Sequence, residues 1–212
     1  MSNGNYQETH ERILKSGLAA FLEEGFEKAN LRRICKAAGV TTGAFYKHFK
    51  DKEALFSELV EPLASMIRKA YAQGEKRGFA GYDEGKPVTP EQVRAALEAK
   101  AAGTLATTAM LYSHRDIYEL LVFRSYGPPY EHFLDWLVDE EDRTTLRVLE
   151  LIHGAEKART VISKESLHIV NHAFYSALSE NIIHAKSVEE LNATTEVIST
   201  FFNAGWEKYR TL

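Results

Sequence analysis

Residues 31–52 read Leu31-Arg-Arg-Ile-Cys-Lys-Ala-Ala-Gly-Val-Thr-Thr-Gly-Ala-Phe-Tyr-Lys-His-Phe-Lys-Asp-Lys52, and they form the most informative segment of the chain. It divides into two short helical patterns that meet at Gly39, which can adopt the positive φ of a tight turn between helices. Six residues give the two patterns an apolar face: Ile34, Ala37, Val40, Ala44, Phe45 and Phe49. Residues 46–48 are left on the opposite side. The stretch therefore predicts a helix-turn-helix whose second helix can lie in the major groove of DNA.

The residues around this stretch follow a known family in order and spacing. The matching segments are Arg12-Ile-Leu, Ala19-Ala-Phe-Leu-Glu-Glu-Gly-Phe, Leu31-Arg-Arg-Ile, Ala38-Gly-Val, Gly43-Ala-Phe-Tyr-Lys-His-Phe and Asp51-Lys-Glu-Ala-Leu-Phe. From about residue 8 to residue 57 the chain resembles the N-terminal DNA-binding domain of the TetR family of bacterial transcriptional repressors. It departs from the family at Asn30, where Thr is usual, and at Cys35, where Ala is usual. Asn caps a helix equally well and Cys is small and apolar, so both departures suit their positions.

Residue chemistry and the resemblance together nominate nine DNA-contacting residues. They are Asn30, Thr41, Thr42, Gly43, Ala44, Tyr46, Lys47, His48 and Lys52. Residues 41–44 are small or hydroxylic, so the start of the second helix can approach base edges. Residues 46–48 and Lys52 can reach phosphates, and Asn30 caps a helix whose N-terminal amides favour an anion. The alternative is a three-helix bundle with merely solvated side chains.

Charge is unevenly distributed along the chain, whose net charge of −4 at first argues against DNA. Residues 1–52 carry nine basic and six acidic residues, whereas residues 53–212 carry seventeen and twenty-four. Because DNA affinity depends on the local field, a basic head on an acidic body is compatible with DNA binding. A polar N-terminus, a single cysteine and the lack of a long apolar run predict a cytoplasmic protein that does not enter membranes.

Helical periodicity runs almost throughout, so we predict an all-α protein. Residues 1–52 are expected to form a three-helix helix-turn-helix domain, and residues 53–212 a larger helical domain for effector binding and dimerisation. The predicted helices lie at about 7–25, 31–37, 41–48, from 52 onwards, 90–113, 115–126, 128–153, 163–185 and 187–210. Pro62 is expected to perturb the fourth helix and residues 74–90 to form a loop. Residues 89–91 should cap the next helix, and residues 187–190 should form a capping box.

The last two predicted helices have more than one partly apolar face. In the final helix, Leu191, Thr194, Ile198, Phe201 and Gly205 form one face, and Phe202, Trp206 and Tyr209 another. Such helices can pack on a core and also on a partner, so residues 163–210 predict a homodimer that binds a palindromic operator. The resemblance implies the same pairing, while a monomer that buries both faces is the alternative.

Aromatic and polar residues on the middle helices are typical of an enclosed small-molecule site. The predicted ligand contacts are Met110, Tyr118, Phe123, Tyr126, His132, Trp136, His172 and Tyr175. Each of them could equally belong to the core. A small-molecule effector would make the protein a regulator released from its operator, whereas a body without such a site would make it a constitutive DNA-binding protein.

No arrangement typical of an enzyme, a cofactor or a metal is predicted. The chain lacks a nucleophile–base pattern and a phosphate-binding glycine loop. Glu165, His168 and His172 share one helix face at metal-ligand spacing, but no cysteine or second acidic cluster accompanies them, so a metal site is not predicted. The acidic run at residues 139–142 is interpreted as a solvated helix surface, and Cys35 is interpreted as a core residue.

Overall fold

The computed structural model describes residues 3–79, 88–127 and 130–212, and these residues form ten α-helices without a strand among them. The helices are α1 (Asn3–Lys28), α2 (Leu31–Ala37), α3 (Thr42–Phe45), α4 (Lys52–Phe79), α5 (Pro90–Tyr112), α6 (Arg115–Phe123), α7 (Phe133–His153), α8 (Ala155–Val161), α9 (Lys164–His184) and α10 (Val188–Arg210). The predicted all-α class with an N-terminal helix-turn-helix is confirmed. No helix of the described residues is long and apolar enough to cross a bilayer.

Helix boundaries differ from the prediction at several places. The predicted stop at Gly25 is present as a break with φ 76° inside α1, after which the chain stays helical to Lys28. The predicted helix over residues 41–48 is only the single turn of α3. Pro62 lies at an exposed position inside the continuous helix α4, where it removes one backbone hydrogen bond without ending the helix.

The predicted loop over residues 74–90 was wrong in its first part, because α4 continues to Phe79. Residues 80–87 of that loop lie outside the described residues, as do Pro128 and Pro129 before α7. The short helix α8 was not predicted, since Gly154 before it offers no capping side chain to mark its start. Gly154, which was predicted as a break, precedes it with φ 81°.

Two helix starts show how capping differs from the predicted pattern. Thr89 caps α5 with a complete capping box: its hydroxyl accepts from Gln92 N, and the Gln92 side chain accepts from Thr89 N at 2.9 Å. Ser187 caps α10, accepting from Glu190 N at 3.2 Å. The Glu190 carboxylate, however, accepts from Lys186 N and not from the Ser187 amide, so the predicted box at residues 187–190 is only half formed.

The described residues fall into two compact units. The first unit comprises Met1–Ile67 and His114–Phe133, and the second comprises Arg68–Ser113 and Leu134–Leu212. In the first unit, Phe21 and Phe56 pack edge to face, with ring centroids 5.2 Å apart. α6 joins this unit through Phe26 N, which donates to Arg124 O at 2.9 Å. Gly17 lets α1 and α4 approach closely, because a Cβ there would lie 2.8 Å from the Leu55 side chain.

The core of the second unit includes a cluster formed where α5, α9 and α10 pack. Val93, Leu97, Leu167 and Trp206 are buried together there. The inward residues of α10 are Leu191, Thr195, Ser199, Trp206 and Arg210. The prediction that Leu191 and Phe201 share a face was wrong, because Leu191 is fully buried while Phe201 is 75% exposed. Ten residues along a helix rotate by about 1000°, a net offset of about 80°, which is enough to bury one side chain and leave the other in solvent.

Candidate nucleic-acid interface

The turn between α2 and α3 is fixed by a cap and by one glycine. Asn30 precedes α2, and its Oδ1 accepts from Arg32 N at 2.9 Å and from Arg33 N at 3.3 Å. Gly39 has φ 67°, a left-handed conformation that any residue with a Cβ would adopt only with strain. The chain then returns through Val40, whose N–H donates to Cys35 O at 2.9 Å. The predicted helix-turn-helix is therefore formed by these local bonds.

The start of α3 presents small and hydroxylic residues. Thr41 caps the helix, and its Oγ1 accepts from Ala44 N at 3.1 Å. Accepting this bond uses a lone pair of the Thr41 hydroxyl and not its hydrogen, which can still be donated. Thr41 and Gly43 are exposed, while Thr42 and Ala44 are half-buried. This end of the helix can approach a groove floor without a long side chain in the way.

The residues that follow α3 divide into outward and inward groups. Tyr46 and Lys47 are exposed, and His48 is half-buried. Phe45 and Phe49 are buried with their rings stacked 5.5 Å apart, which confirms the prediction that both belong to the core. Burial and the neighbouring charges of His10 and Lys47 lower the pKa of His48, which favours the neutral imidazole.

Lys52 forms hydrogen bonds within the protein that the sequence did not indicate. Its Nζ donates to the carbonyl oxygens of Phe26 at 2.6 Å, Ala29 at 3.0 Å and Glu27 at 3.1 Å. An ammonium group has three hydrogens, and all three are used. Burial lowers the pKa of this ammonium, against the opposing charge of Glu27. Lys52 thus holds the chain that leaves α1, and a phosphate would have to displace these bonds.

Two residues of the first turns of α1 were missed by sequence reasoning. The Tyr6 ring stacks on His48 with centroids 4.1 Å apart, and Tyr6 Oη donates to Lys47 O at 3.3 Å. His10 stacks on Phe49 and lies 2.5 Å from Glu58 through its Nε2 and the glutamate Oε1. The sequence indicated this contact only through the spacing of Tyr6 and His10, which are four residues apart. Both residues precede Arg12, where the first matching segment begins.

The predicted ligand contacts do not all lie in one unit. Tyr118, Phe123, Tyr126 and His132 belong to the first unit, and Met110, Trp136, His172 and Tyr175 to the second. Within the first group, Tyr118 is buried while Tyr126 and His132 are exposed. Within the second group, Trp136 contacts Tyr71 with rings 6.2 Å apart. Their roles as ligand contacts stay a prediction.

A buried polar cluster around Glu141 in the second unit was also missed. Glu141 accepts hydrogen bonds from Tyr71 Oη at 2.9 Å, Tyr175 Oη at 3.1 Å and Thr145 Oγ1 at 3.2 Å, and it forms an ion pair with Lys100. Burial alone would raise the pKa of Glu141. The charge of Lys100 and the hydrogen bonds from Lys100 and the two tyrosines outweigh burial and lower the pKa to about 2. The carboxylate is therefore ionised inside the protein.

A groove of about 570 Å³ lies between α5 and α10 in the second unit. Its walls are lined mainly by small or polar residues, among them Ala101, Ala102, Ser199, Asn203 and Ala204. None of the eight predicted ligand contacts lines it.

The metal-type pattern at Glu165, His168 and His172 is not the arrangement that the structure brings together. Among the described residues, the group with closely spaced ligand atoms is instead Asp139, Asp142 and His168. Asp142 there accepts from Asn171 Nδ2 at 2.7 Å and lies 2.8 Å from His168 Nδ1. Through these contacts, Asp142 of α7 links to His168 and Asn171 of α9.

Residues 30–49 thus form a helix-turn-helix, and the start of its second helix is partly exposed. The sequence profile described as bacterial regulatory proteins, tetR family, matches residues 13–59. Residues 13–59 are therefore similar to the N-terminal domain of the TetR family, as the resemblance predicted.

The relatives match over the same domain. The HTH-type transcriptional regulator AcrR of Shigella flexneri is 53% identical over 61 residues, which cover 29% of this chain and 28% of AcrR. The HTH-type transcriptional repressor Rv1474c of Mycobacterium tuberculosis is 32% identical over 81 residues, which cover 38% of this chain and 42% of the repressor. In both pairs the match spans less than half of the relative.

One solved structure extends the likeness of fold to nearly the whole chain. It is that of NalD, the secondary repressor of the MexAB-OprM multidrug efflux pump in Pseudomonas aeruginosa, with a TM-score of 0.55 at 19% identity. The alignment covers 96% of this chain and 98% of NalD. At this identity the likeness concerns the fold alone.

Proposed function

We propose that this protein is a sequence-specific transcriptional regulator that binds DNA as a homodimer, and that it is a repressor released from its operator by a small-molecule effector. The start of α3 carries this proposal, because it combines an exposed small-residue end with an exposed tyrosine and lysine on a rigid turn. The relatives that share residues 13–59 are named transcriptional regulators, which supports the same function. Its place of action would be the cytoplasm, where bacterial DNA lies.

In the proposed complex, the start of α3 enters the major groove. Residues 41–44 contact base edges or nearby phosphates, and Tyr46, Lys47 and His48 contact phosphates. Asn30 orients the start of α2 toward the backbone. We leave Lys52 out of this contact set, since its three hydrogens already bond to carbonyl groups.

Selection from a random duplex pool, followed by affinity measurements at several salt concentrations, tests this proposal. A palindromic consensus bound at least about a thousandfold more tightly than random DNA is expected. Lys47→Ala should weaken binding and lower the salt slope by about one, whereas Lys69→Ala, an exposed lysine of the second unit, should not. Weak binding without sequence preference would contradict the proposal.

The homodimer is supported by apolar side chains left in solvent on the last two helices. Phe201 is 75% exposed, Val197 69% and Ile169 67%. Val197 and Phe201 are one helical turn apart and therefore form a stripe on α10. Such a stripe fits a second copy of this chain, whose same surface is equally apolar.

Phe201→Glu tests the dimer, because it would place two carboxylates in a symmetric apolar contact. Sedimentation should then show a monomer, and operator affinity should fall at least about a hundredfold, since two half-sites would no longer be bound together. Tyr126→Glu, which changes an exposed aromatic residue of the first unit, is the matched control. An unchanged dimer in Phe201→Glu would contradict the proposed interface.

Effector response is supported by the position of Tyr71. Helix α4 begins at Lys52, next to the helix-turn-helix, and its Tyr71 donates to Glu141 of α7. A ligand that rearranges the Glu141 cluster would therefore act on the helix that also follows the DNA-binding segment. A hundredfold loss of operator affinity requires a preference of about 2.7 kcal/mol for the non-binding form.

A panel of small molecules, assayed first by thermal stabilisation and then by operator release, tests this part. A compound that both stabilises the protein and weakens operator binding is expected. Compounds that stabilise the protein without any change in DNA affinity would favour constitutive binding instead.

A further inference from the structure

We propose that Tyr6 is a positioning residue for DNA binding, which holds His48 as a neutral hydrogen-bond donor directed at a phosphate. The inference rests on the proposed DNA-binding function. Tyr6 and His10 lie before residues 13–59, the segment that the family profile matches.

The first turns of α1 cover one side of His48. The Tyr6 and His48 rings are stacked at 4.1 Å with an interplanar angle of 26°. The His10 ring centroid lies 5.5 Å from that of His48. Tyr6 Oη donates to Lys47 O at 3.3 Å, which ties α1 to the backbone directly before His48. Residues 6 and 10 are four apart, so both side chains come from the same face of α1.

The hydrogen position on His48 follows from which ring nitrogen is buried. His48 Nδ1 is buried and has no hydrogen-bond partner among the described residues, whereas Nε2 is not among the buried atoms. A buried N–H without an acceptor is costly, so Nδ1 carries the lone pair. The hydrogen then sits on Nε2, from which it can be donated to a phosphate oxygen. Protonation of Nδ1 would create the same unsatisfied N–H, and the ring therefore stays neutral.

The charged groups around His48 favour the same state. From α1, Tyr6 and His10 face the ring, and Glu58 of α4 is bound to His10. Lys47 precedes the ring in the chain. Burial, His10 and Lys47 all lower the pKa of His48. A neutral donor can bond to a phosphate without displacing counterions, so this contact should not contribute to the salt slope.

The test compares operator affinity at pH 8 and pH 6 for the wild type, Tyr6→Phe, Tyr6→Ala and His48→Gln, with the selected duplex as the probe. Tyr6→Phe keeps the stacked ring, so its pH profile should match that of the wild type. Tyr6→Ala opens Nδ1 to water, so His48 can take up a proton when a phosphate is near. Its affinity should then rise about three- to tenfold more than that of the wild type from pH 8 to pH 6.

The double variant Tyr6→Ala/His48→Gln serves as the control for other titrating groups, His10 included. It should lose the added pH dependence, because no ring remains at position 48 to take up the proton. Identical pH profiles in the wild type and Tyr6→Ala would overturn the inference, as would an added dependence that persists in the double variant. Tyr6 is 48% exposed, so Tyr6→Ala should remain folded, which its unfolding curve verifies.

A second measurement separates this inference from the proposed function. The ¹⁵N chemical shifts of the His48 ring report its tautomer in the free protein. A neutral ring with its hydrogen on Nε2 is expected in the wild type, and exchange between protonated and neutral forms near pH 6 in Tyr6→Ala. If the tautomer is as expected but no duplex is bound specifically, the proposed function fails. If DNA is bound but the tautomer is reversed, the inference alone fails.

Discussion

In the first unit, charged side chains surround an aromatic core, whereas in the second unit a buried glutamate pairs with a half-buried lysine. Lys47 and the start of α3 face solvent, over buried Phe45. Glu141 is only 6% exposed, and it bonds to residues from α4, α5, α7 and α9. Polar groups at the surface are available for an external partner. Polar groups inside fix how several helices meet, because each bond must be satisfied at once.

The largest effect should come from breaking the buried ion pair of the second unit. Glu141→Gln leaves the half-buried Lys100 charge without its partner, so the free energy of unfolding should fall by about 3 kcal/mol. Glu140→Gln, in the adjacent and less buried pair with Arg143, should cost less than about 1 kcal/mol. Urea unfolding of the full-length protein at one protein concentration measures both. Equal losses in the two variants would show that the burial of Glu141 does not increase the contribution of its ion pair to stability.

The Glu141 carboxylate should also make the free energy of unfolding depend on pH. Its pKa of about 2 lies below the ordinary value of 4.5, so its contribution is fully present above pH 4.5 and is lost as pH falls toward 2. The difference in unfolding free energy between the wild type and Glu141→Gln should therefore shrink by up to about 3 kcal/mol over that interval. A difference that stays constant from pH 5 to pH 3 would mean that the carboxylate titrates normally.

The variant Lys52→Met tests whether a basic residue of the first unit stabilises the fold through hydrogen bonds within the protein. Lys52→Met removes three bonds to carbonyl oxygens, so we expect a loss of about 2 kcal/mol in stability. Its effect on the salt slope of DNA binding should be small beside that of Lys47→Ala. Lys50→Met, an exposed neighbour, should change stability by less than about 0.5 kcal/mol. An unchanged stability with a reduced salt slope would show instead that Lys52 binds a phosphate.

The smallest effect should follow from loss of the cap of α2. Asn30→Ala removes the acceptor for Arg32 N and Arg33 N, which should cost about 1 kcal/mol of stability. Asn30→Ser, which keeps a capping oxygen, should recover most of that loss. If Asn30→Ala lowers operator affinity more than its stability loss explains, the cap also orients α2 toward DNA.

Prediction from sequence succeeded where the relevant contacts are local. Gly39, Asn30 and Thr41 act within a few residues of themselves, so their roles in turns and caps follow from residue type and spacing. It failed for Lys52, whose partners lie 23 to 26 residues away in the chain. A lysine at the start of a helix is normally solvated. No residue near position 52 indicates that carbonyl groups at the end of α1 can accept its hydrogen bonds.

By itself, the sequence determined the all-α class, the helix-turn-helix and the residues at the start of α3, because periodicity, capping and a left-handed glycine are properties of short segments. The tertiary structure alone decided that Glu141 and Lys100 meet in the interior, that Tyr6 covers His48, and that Phe201 faces solvent. Each of these depends on helices that are distant in the chain and on the rotation of one helix against another. A difference of one residue in that rotation turns a side chain by about 100°, which the amino-acid pattern constrains only weakly.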